Sequence, residues 1–143
     1  MQKIIKYLFI VLILANFKAF AKENFFQEAK TLFDKGKIEE SKFLFQRNIV
    51  FNPKDSKSYL FLAKIFEYEE NEIEEEKNIN TTLLLEPDNE EAMYMLIDIK
   101  LEKSDIKKVE ELRKKFKIIC NSLCSKIDSI DERLSNINVE NES

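Results

Sequence analysis

Apolar residues recur along most of the chain at intervals of three and four, as they do in amphipathic helices. Such intervals place the apolar side chains on one face of a helix, which is then the face that packs inward. The segment "DKGK" at residues 34–37 interrupts the first run, so the pattern predicts two helices joined by a short turn. The predicted inward residues of these two helices are Phe25, Ala29, Leu32, Phe45, Ile49 and Val50.

The same apolar pattern returns at a constant step of 34 residues. The only two prolines, Pro53 and Pro87, are separated by this step, and each ends a predicted helix because the residue before a proline avoids the helical conformation. Apolar pairs at the same step include Phe45 and Ile79, Ile49 and Leu83, and Phe51 and Leu85. The predicted N-caps of the helices after the prolines are Asp55 or Ser56 and Asp88 or Asn89. A packing unit of two helices is therefore predicted to recur.

This pattern resembles the tetratricopeptide repeat family, whose units are helix–turn–helix pairs of 34 residues. The match is strongest in the first unit, where Ala29 and Ser41 supply the family's small residues, Gly36 the turn and Phe45 the aromatic residue. In the second unit Ala63 keeps the small residue of the first helix. The residues that depart from the family pattern are Glu75, Ile97 and Lys100, and Asn121 in place of a third proline. The second turn is also predicted to be slipped by about one residue.

The resemblance implies an all-α solenoid of about three helix–turn–helix repeats with a C-terminal capping helix. The predicted segments are repeats at 22–55, 56–89 and 90–121, a capping helix at 122–138 and a disordered tail at 139–143. An apolar stripe supports the capping helix, which would cover the exposed face of the last repeat. The stripe comprises Leu123, Ile127, Ile130, Leu134 and Ile137. A coiled-coil seam in a dimer is the alternative interpretation of this stripe.

Residues 1–21 have the three-part layout of a secretory signal peptide. Lys3 and Lys6 precede an apolar run at residues 7–17, and small residues before position 22 predict cleavage after Ala21. A membrane anchor is the alternative, but this run is shorter than the ~20 residues that a helix needs to span a bilayer. We therefore expect a short exported bacterial protein located in the periplasm.

The charge that remains after cleavage restricts the partners. Without residues 1–21 the chain has 20 Lys and Arg against 27 Asp and Glu, a net charge of −7. Nucleic acids and anionic membranes bind through Lys and Arg, so neither is expected as a partner. A protein or peptide partner is predicted, with the chain a monomer or weak homodimer.

Cys120 and Cys124 are the only cysteines. An intrachain disulfide is favoured, since export delivers the chain to an oxidising compartment and a kink at Asn121 and Ser122 would bring the Cα atoms within range. Two buried free thiols, or a redox or metal role, are the alternatives. Zinc is disfavoured because the chain has no histidine to complete a site, and the spacing is not C-x-x-C.

Catalytic signatures are lacking in the sequence. Without histidine the usual general base is missing, and a single glycine excludes the glycine-rich nucleotide loops. The acidic run "EYEENEIEEE" at residues 67–76 does not have the spacing of an EF-hand and is interpreted as a solvated helix end and turn. Neither an enzyme nor a cofactor is predicted.

The resemblance implies that the first helices of successive units line a concave groove that holds a peptide. The family's groove positions correspond here to Phe26, Lys30, Phe33, Lys57, Phe61, Lys64, Tyr68, Tyr94, Asp98 and Leu101. Lys30 and Lys64 are equivalent by the 34-residue step and could receive a carboxylate together. The alternative is that Phe26 and Phe61 pack between repeats and that the lysines are solvated. The paired asparagines of the family's two-carboxylate clamp are missing, so that specific function is not inferred.

These observations favour a protein–protein interaction adaptor. One alternative is an assembly or maturation factor for a cell-envelope or cytochrome complex. A second is a thiol-redox protein that uses Cys120 and Cys124. The sequence does not identify the partner or the pathway.

Overall fold

A computed structural model describes residues 25–142, and over this range the chain is all-α, with seven helices and no strand. The helices are α1 (Phe25–Asp34), α2 (Ile38–Phe51), α3 (Ser56–Tyr68), α4 (Glu72–Leu85), α5 (Glu90–Glu102), α6 (Ile106–Ile119) and α7 (Lys126–Glu142). None of these seven is both long and apolar enough to cross a bilayer. The predicted signal peptide at residues 1–21 lies outside the described residues.

The helices form three pairs whose boundaries keep the 34-residue step. The starts of α2, α4 and α6 are separated by it, as are those of α3 and α5. The turn inside each pair has one residue with positive φ at the same step: Gly36 at 72°, Glu70 at 55° and Ser104 at 52°. The predicted slip in the second turn is therefore wrong. Glu70 adopts the left-handed conformation that glycine adopts in the first turn, although a side chain makes it less favourable.

Polar side chains fix the starts of several helices, as the sequence predicts for Asn89. Its side-chain oxygen accepts a hydrogen bond from the Ala92 N–H at 2.9 Å, which satisfies one of the free amides at the start of α5. Asp55 precedes α3 as predicted, but its carboxylate accepts hydrogen bonds from the side chains of Asn48 and Ser58, both at 2.6 Å. It thereby links the end of α2 to the start of α3.

Each helix packs against the next one along the chain. In the first pair the buried Ser41 hydroxyl donates to the Ala29 carbonyl at 2.9 Å. The equivalent residue in the third pair is Val109, which is fully buried. In the second pair it is Glu75, which is also buried. The repeat therefore places a carboxyl group at a helix–helix contact where the other two pairs have a hydroxyl and an aliphatic group.

The face that α2 buries differs from the predicted one. Val50 is predicted to point inward, but it is 76% exposed. The buried residues of α2 are Ser41, Phe45 and Asn48, so two of the three are polar. Apolar spacing alone could not identify this face, because hydrogen bonds make the burial of Ser41 and Asn48 acceptable.

The C-terminal helix α7 covers the last repeat, and it contacts both α5 and α6. Ile130 is buried, and the other members of the predicted stripe pack against the same core cluster. The helix starts later and ends later than the predicted 122–138. The predicted disordered tail does not hold for residues 139–142, which continue α7.

The turn between α6 and α7 contains both cysteines. Their sulfur atoms are at disulfide distance, 2.04 Å, and their Cα atoms are 5.2 Å apart. The carboxylate of Glu90, at the start of α5, accepts hydrogen bonds from the backbone N–H groups of Asn121 at 2.6 Å and Leu123 at 3.1 Å. These contacts, led by the one with Asn121, lower the pKa of Glu90 to about 2. The turn is thus tied to the third pair by backbone contacts as well as by the cysteines.

Reduction of Cys120 and Cys124 is expected to lower the free energy of unfolding by about 1–2 kcal/mol, because a cross-link over four residues restricts the unfolded chain only slightly. Urea denaturation with and without reductant measures this difference. The double variant Cys120→Ser with Cys124→Ser should match the reduced protein and be insensitive to reductant. Two titratable thiols in the protein purified without reductant would contradict the disulfide.

Candidate functional site

A cavity of about 490 Å³ lies between the first helices of the three pairs, and we call it the groove. It extends from α1 across α3 and α5 to the turn before α7. Its lining residues are Phe33, Lys64, Glu67, Glu91, Tyr94, Met95, Leu123 and Lys126. Aromatic and aliphatic side chains therefore alternate with charged ones along this surface.

Three of the four charged side chains that line the groove have a partner there. The Lys64 ammonium contacts the Glu91 carboxylate at 2.7 Å and lies 4.9 Å from the centre of the Phe61 ring. The Lys126 ammonium lies 5.4 Å from the centre of the Tyr94 ring. Cations at these distances from an aromatic face are attracted to it, so each lysine has an aromatic neighbour.

Beneath one end of the groove, four phenylalanines form a cluster that joins α1, α2 and α3. The Phe61 ring stacks on Phe45 with centroids 5.0 Å apart, and its edges meet Phe26 at 5.8 Å and Phe33 at 5.2 Å. Phe26 and Phe61 therefore pack between helices, which is the alternative that the sequence left open for them. Phe33 belongs to both the cluster and the groove.

The groove includes three of the predicted partner-binding residues, Phe33, Lys64 and Tyr94. Lys30 does not line it, and its ammonium contacts the Asp34 carboxylate of the same helix at 2.6 Å. Lys30 and Lys64 were predicted to receive one carboxylate together, but each contacts a different carboxylate of the protein. Four other predicted residues lie outside the groove. Lys57 is exposed at the start of α3, and Leu101 is buried. Tyr68 lines a shallow cavity beside Gly36, and Asp98 lines a separate cavity that is rich in carboxylates.

A second cavity, of about 300 Å³, opens beside the groove and is lined mainly by carboxylates. We call it the acidic cavity, and its lining residues are Glu67, Glu70, Glu72, Glu75, Met95, Asp98, Ile99 and Glu102. Glu72 forms an ion pair with Lys103, and Asp98 forms one with Arg133 of α7. Between residues 25 and 142, no ion pair or side-chain hydrogen bond involves the carboxyl groups of the remaining four, which are Glu67, Glu70, Glu75 and Glu102.

Glu75 is the most enclosed of these carboxyl groups, with 8% of the residue exposed. Burial, with a smaller contribution from the neighbouring Glu67, raises the pKa of Glu75 to about 7. Partial desolvation and the nearby Asp98 also raise the pKa of Glu67. The interpretation of residues 67–76 as a solvated helix end and turn is therefore wrong for Glu75.

Solved structures resemble this arrangement, whereas no protein-family model and no curated protein matches the sequence. The Yersinia enterocolitica type III secretion chaperone SycD, in complex with a peptide of the translocator YopD, is 13% identical, with a TM-score of 0.69 over 88% of this chain and 98% of that one. The TPR2B domain of yeast Sti1, in a pHsp70 complex, is 16% identical, with a TM-score of 0.70 over 80% and 95%. The chain has a tetratricopeptide-repeat-like fold. PcrH, in complex with the chaperone-binding region of PopD, is 11% identical, with a TM-score of 0.67 over 83% and 92%.

Within this tetratricopeptide-repeat-like fold, the sequence prediction missed Leu123 and Lys126 as groove residues. Both lie at the junction with the capping helix, which was expected only to cover the core. The acidic cavity was also missed. Glu75 was the residue in the sequence that could have indicated this cavity. It is a glutamate at the position of the family's small residue, and that position is buried between the two helices of a pair.

Proposed function

We propose that this protein is an exported bacterial adaptor that binds a peptide or protein segment of a partner in the groove. The observation that carries the proposal is the groove itself, a cavity of about 490 Å³ formed by one helix from each pair. The complexes of SycD with a peptide of YopD and of PcrH with the chaperone-binding region of PopD, two proteins that share the fold, support it. The proposed role is binding without catalysis.

The side chains of the groove suit an extended peptide. Phe33, Tyr94 and Leu123 offer apolar contact surface, and aromatic side chains are the residues that most often anchor an interface. The ion pair of Lys64 and Glu91 offers a donor and an acceptor for polar groups of the same peptide. Specificity would then come from where the peptide places its apolar and charged side chains.

The compartment belongs to the same proposal. We propose that the signal peptide at residues 1–21 directs the chain to the periplasm, where the Cys120–Cys124 pair is oxidised. There the protein acts as a monomer or weak homodimer. Its contacts with the membrane and with nucleic acid are proposed to be absent after cleavage, given the net charge of −7 calculated from 20 basic and 27 acidic residues.

Selection of binders from a displayed library of random short peptides tests the function. Fluorescence anisotropy then measures the affinity of a selected peptide. Tyr94→Ala is expected to weaken binding by about tenfold because it removes an aromatic wall of the groove. The matched control Tyr68→Ala removes an exposed tyrosine outside the groove and should change the affinity less than twofold.

A second pair of variants distinguishes binding in the groove from a general effect of charge at the protein surface. Lys64→Glu is expected to weaken binding, since it places a carboxylate beside Glu91 in the groove. Lys30→Glu makes the same charge change at the equivalent position of the first pair and should have little effect. Circular dichroism checks that each variant stays helical. A library that yields no binder, or equal losses for Lys30→Glu and Lys64→Glu, would reject binding in the groove.

A further inference from the structure

The acidic cavity adjoins the groove and shares two of its walls, Glu67 and Met95. A peptide lying in the groove would therefore pass the opening of this cavity. Met95 and Ile99 form an apolar side, and carboxylates from α3, α4 and α5 form the rest. A side chain that enters from the groove would meet methyl and methylene groups beside several carboxyl oxygens.

The charge inside the acidic cavity is not balanced by the described part of the chain. Lys103 and Arg133 pair with Glu72 and Asp98, at the edge formed by α4, α5 and α7. The nearest cation toward the groove is Lys64, whose ammonium contacts Glu91. Among residues 25–142, no cation forms an ion pair with the other four carboxyl groups of the cavity, which are those of Glu67, Glu70, Glu75 and Glu102. The cavity therefore has a strong excess of acceptors and negative charge.

Glu75 is an independent indication of a ligand. More than nine-tenths of the residue is hidden from solvent, it lines the cavity, and its carboxyl group has no hydrogen-bond donor among the described side chains. Among the described side chains, the one oxygen that is sealed from solvent without a hydrogen-bond partner is Oε1 of Glu69, so the Glu75 oxygens open on the cavity and are available to a ligand there. The repeat explains why Glu75 is buried, but not why this place holds a carboxyl group when Ser41 and Val109 fill it elsewhere.

We propose that the acidic cavity receives a lysine or arginine side chain of the peptide that the groove holds, an inference that rests on the proposed function. The cationic head group would contact the carboxylates of Glu75 and Glu67, and its methylene stem would lie along Met95 and Ile99. A basic residue at one fixed position would then distinguish true partners from other apolar peptides. The net charge of −7 left by 20 basic and 27 acidic residues would also attract a basic partner.

This occupancy is expected to depend on pH. Five carboxyl groups from three elements and the turn between them face Glu75, and three cations lie nearby. The carboxyl groups are those of Glu67 at the end of α3, Glu70 in the following turn, Glu72 of α4, and Asp98 and Glu102 of α5. The cations are Lys64, Lys103 and Arg133. Burial raises the pKa of Glu75 to about 7, so at neutral pH the Glu75 carboxyl group is protonated in part of the molecules whose cavity is empty. A bound cation favours the ionised form, so binding releases protons and the affinity rises from pH 6 to pH 8.

The test uses the purified protein and the same displayed library of random short peptides. We expect the selected peptides to share a lysine or arginine at one position. A selected peptide is then synthesised with arginine, lysine or neutral citrulline at that position. At pH 8 the cationic peptides should bind about tenfold more tightly than the citrulline peptide. Glu75→Gln should remove this difference and the pH dependence, and Glu67→Gln, a second variant, should reduce both.

Glu74→Gln is the matched control. It makes the same change of charge at the preceding residue of α4, where the carboxylate contacts Lys77 outside the cavity, so the preference for a cation should remain. Peptides that bind in the groove without a shared basic residue, or that bind equally well with citrulline, would overturn this inference and leave the proposed function intact. A library without binders would overturn both.

Discussion

Replacing Phe45 with alanine is expected to lower the free energy of unfolding by about 4 kcal/mol. Phe45 is fully buried, and its ring contacts Phe26 at 5.7 Å and Phe61 at 5.0 Å between ring centroids. It therefore joins the two helices of the first pair to α3 of the second. Truncation removes apolar contacts and leaves a cavity that the surrounding helices cannot fill completely, and both effects destabilise the folded chain.

Phe43→Ala is the matched control, since it removes the same side chain from the same helix. Phe43 is 61% exposed, so the free energy of unfolding should change by less than about 0.5 kcal/mol. Urea denaturation followed by circular dichroism measures both variants at one pH. A small effect of Phe45→Ala, or equal effects of the two substitutions, would contradict the placement of Phe45 at the centre of the first pair.

The second large effect is the dependence of stability on pH that Glu75 causes. Its pKa rises from 4.5 to about 7 in the folded protein, because burial disfavours the ionised form. The folded state thus binds this proton more tightly than the unfolded state. The associated stability is complete below pH 4.5 and is lost as the pH rises through 7. Between pH 5 and pH 8 the wild-type protein should lose about 2–3 kcal/mol of unfolding free energy.

Glu75→Gln should remove most of this loss, because the neutral amide resembles the protonated carboxyl group. At pH 8 the variant is therefore expected to be more stable than the wild type, and near pH 4.5 the two should be similar. Glu74→Gln again serves as the control and should follow the wild-type curve. Urea denaturation at pH 5 and pH 8 provides the comparison. If Glu75→Gln lost as much stability as the wild type between these two pH values, the carboxyl group would not be buried as described.

Much of the fold is predictable from the sequence because the residues that define the repeat have strong local effects on the backbone. Pro53 and Pro87 end helices by steric exclusion, and the apolar step of 34 residues persists even where the third proline is missing. The structure also keeps the step at the turns, where Glu70 and Ser104 adopt the conformation of Gly36. The turn geometry of the repeat therefore overrides the local preference of these two residues.

The burial of polar residues is the part of the fold that the sequence could not provide. Asn48 and Ser41 are buried because each has a hydrogen-bond partner on another helix, or across the turn between two helices, and such partners cannot be identified from spacing along one helix. Val50 shows the converse, since its apolar character does not bring it inward. Hydrophobic patterns locate a buried face only when apolar residues form that face.

The lining of the groove was predicted less completely than the fold. Phe33, Lys64 and Tyr94 line the groove as the resemblance implies, but Tyr68 and Leu101 point elsewhere, and Leu123 enters from a segment outside the three repeats. A groove depends on the relative placement of several helices, which a sequence repeat defines only approximately.

An NMR titration of the ¹⁵N-labelled protein with a selected peptide maps the backbone amides that respond to binding, and so shows directly which helices contact the peptide. Binding in the groove predicts that the largest shifts lie at and around Phe33, Lys64, Tyr94 and Leu123. Amides on the outer faces of α2, α4 and α6, such as those of Val50 and Ile118, should change little. Shifts concentrated on those second helices, with none along α1, α3 and α5, would contradict a binding surface formed by the first helices of the three pairs.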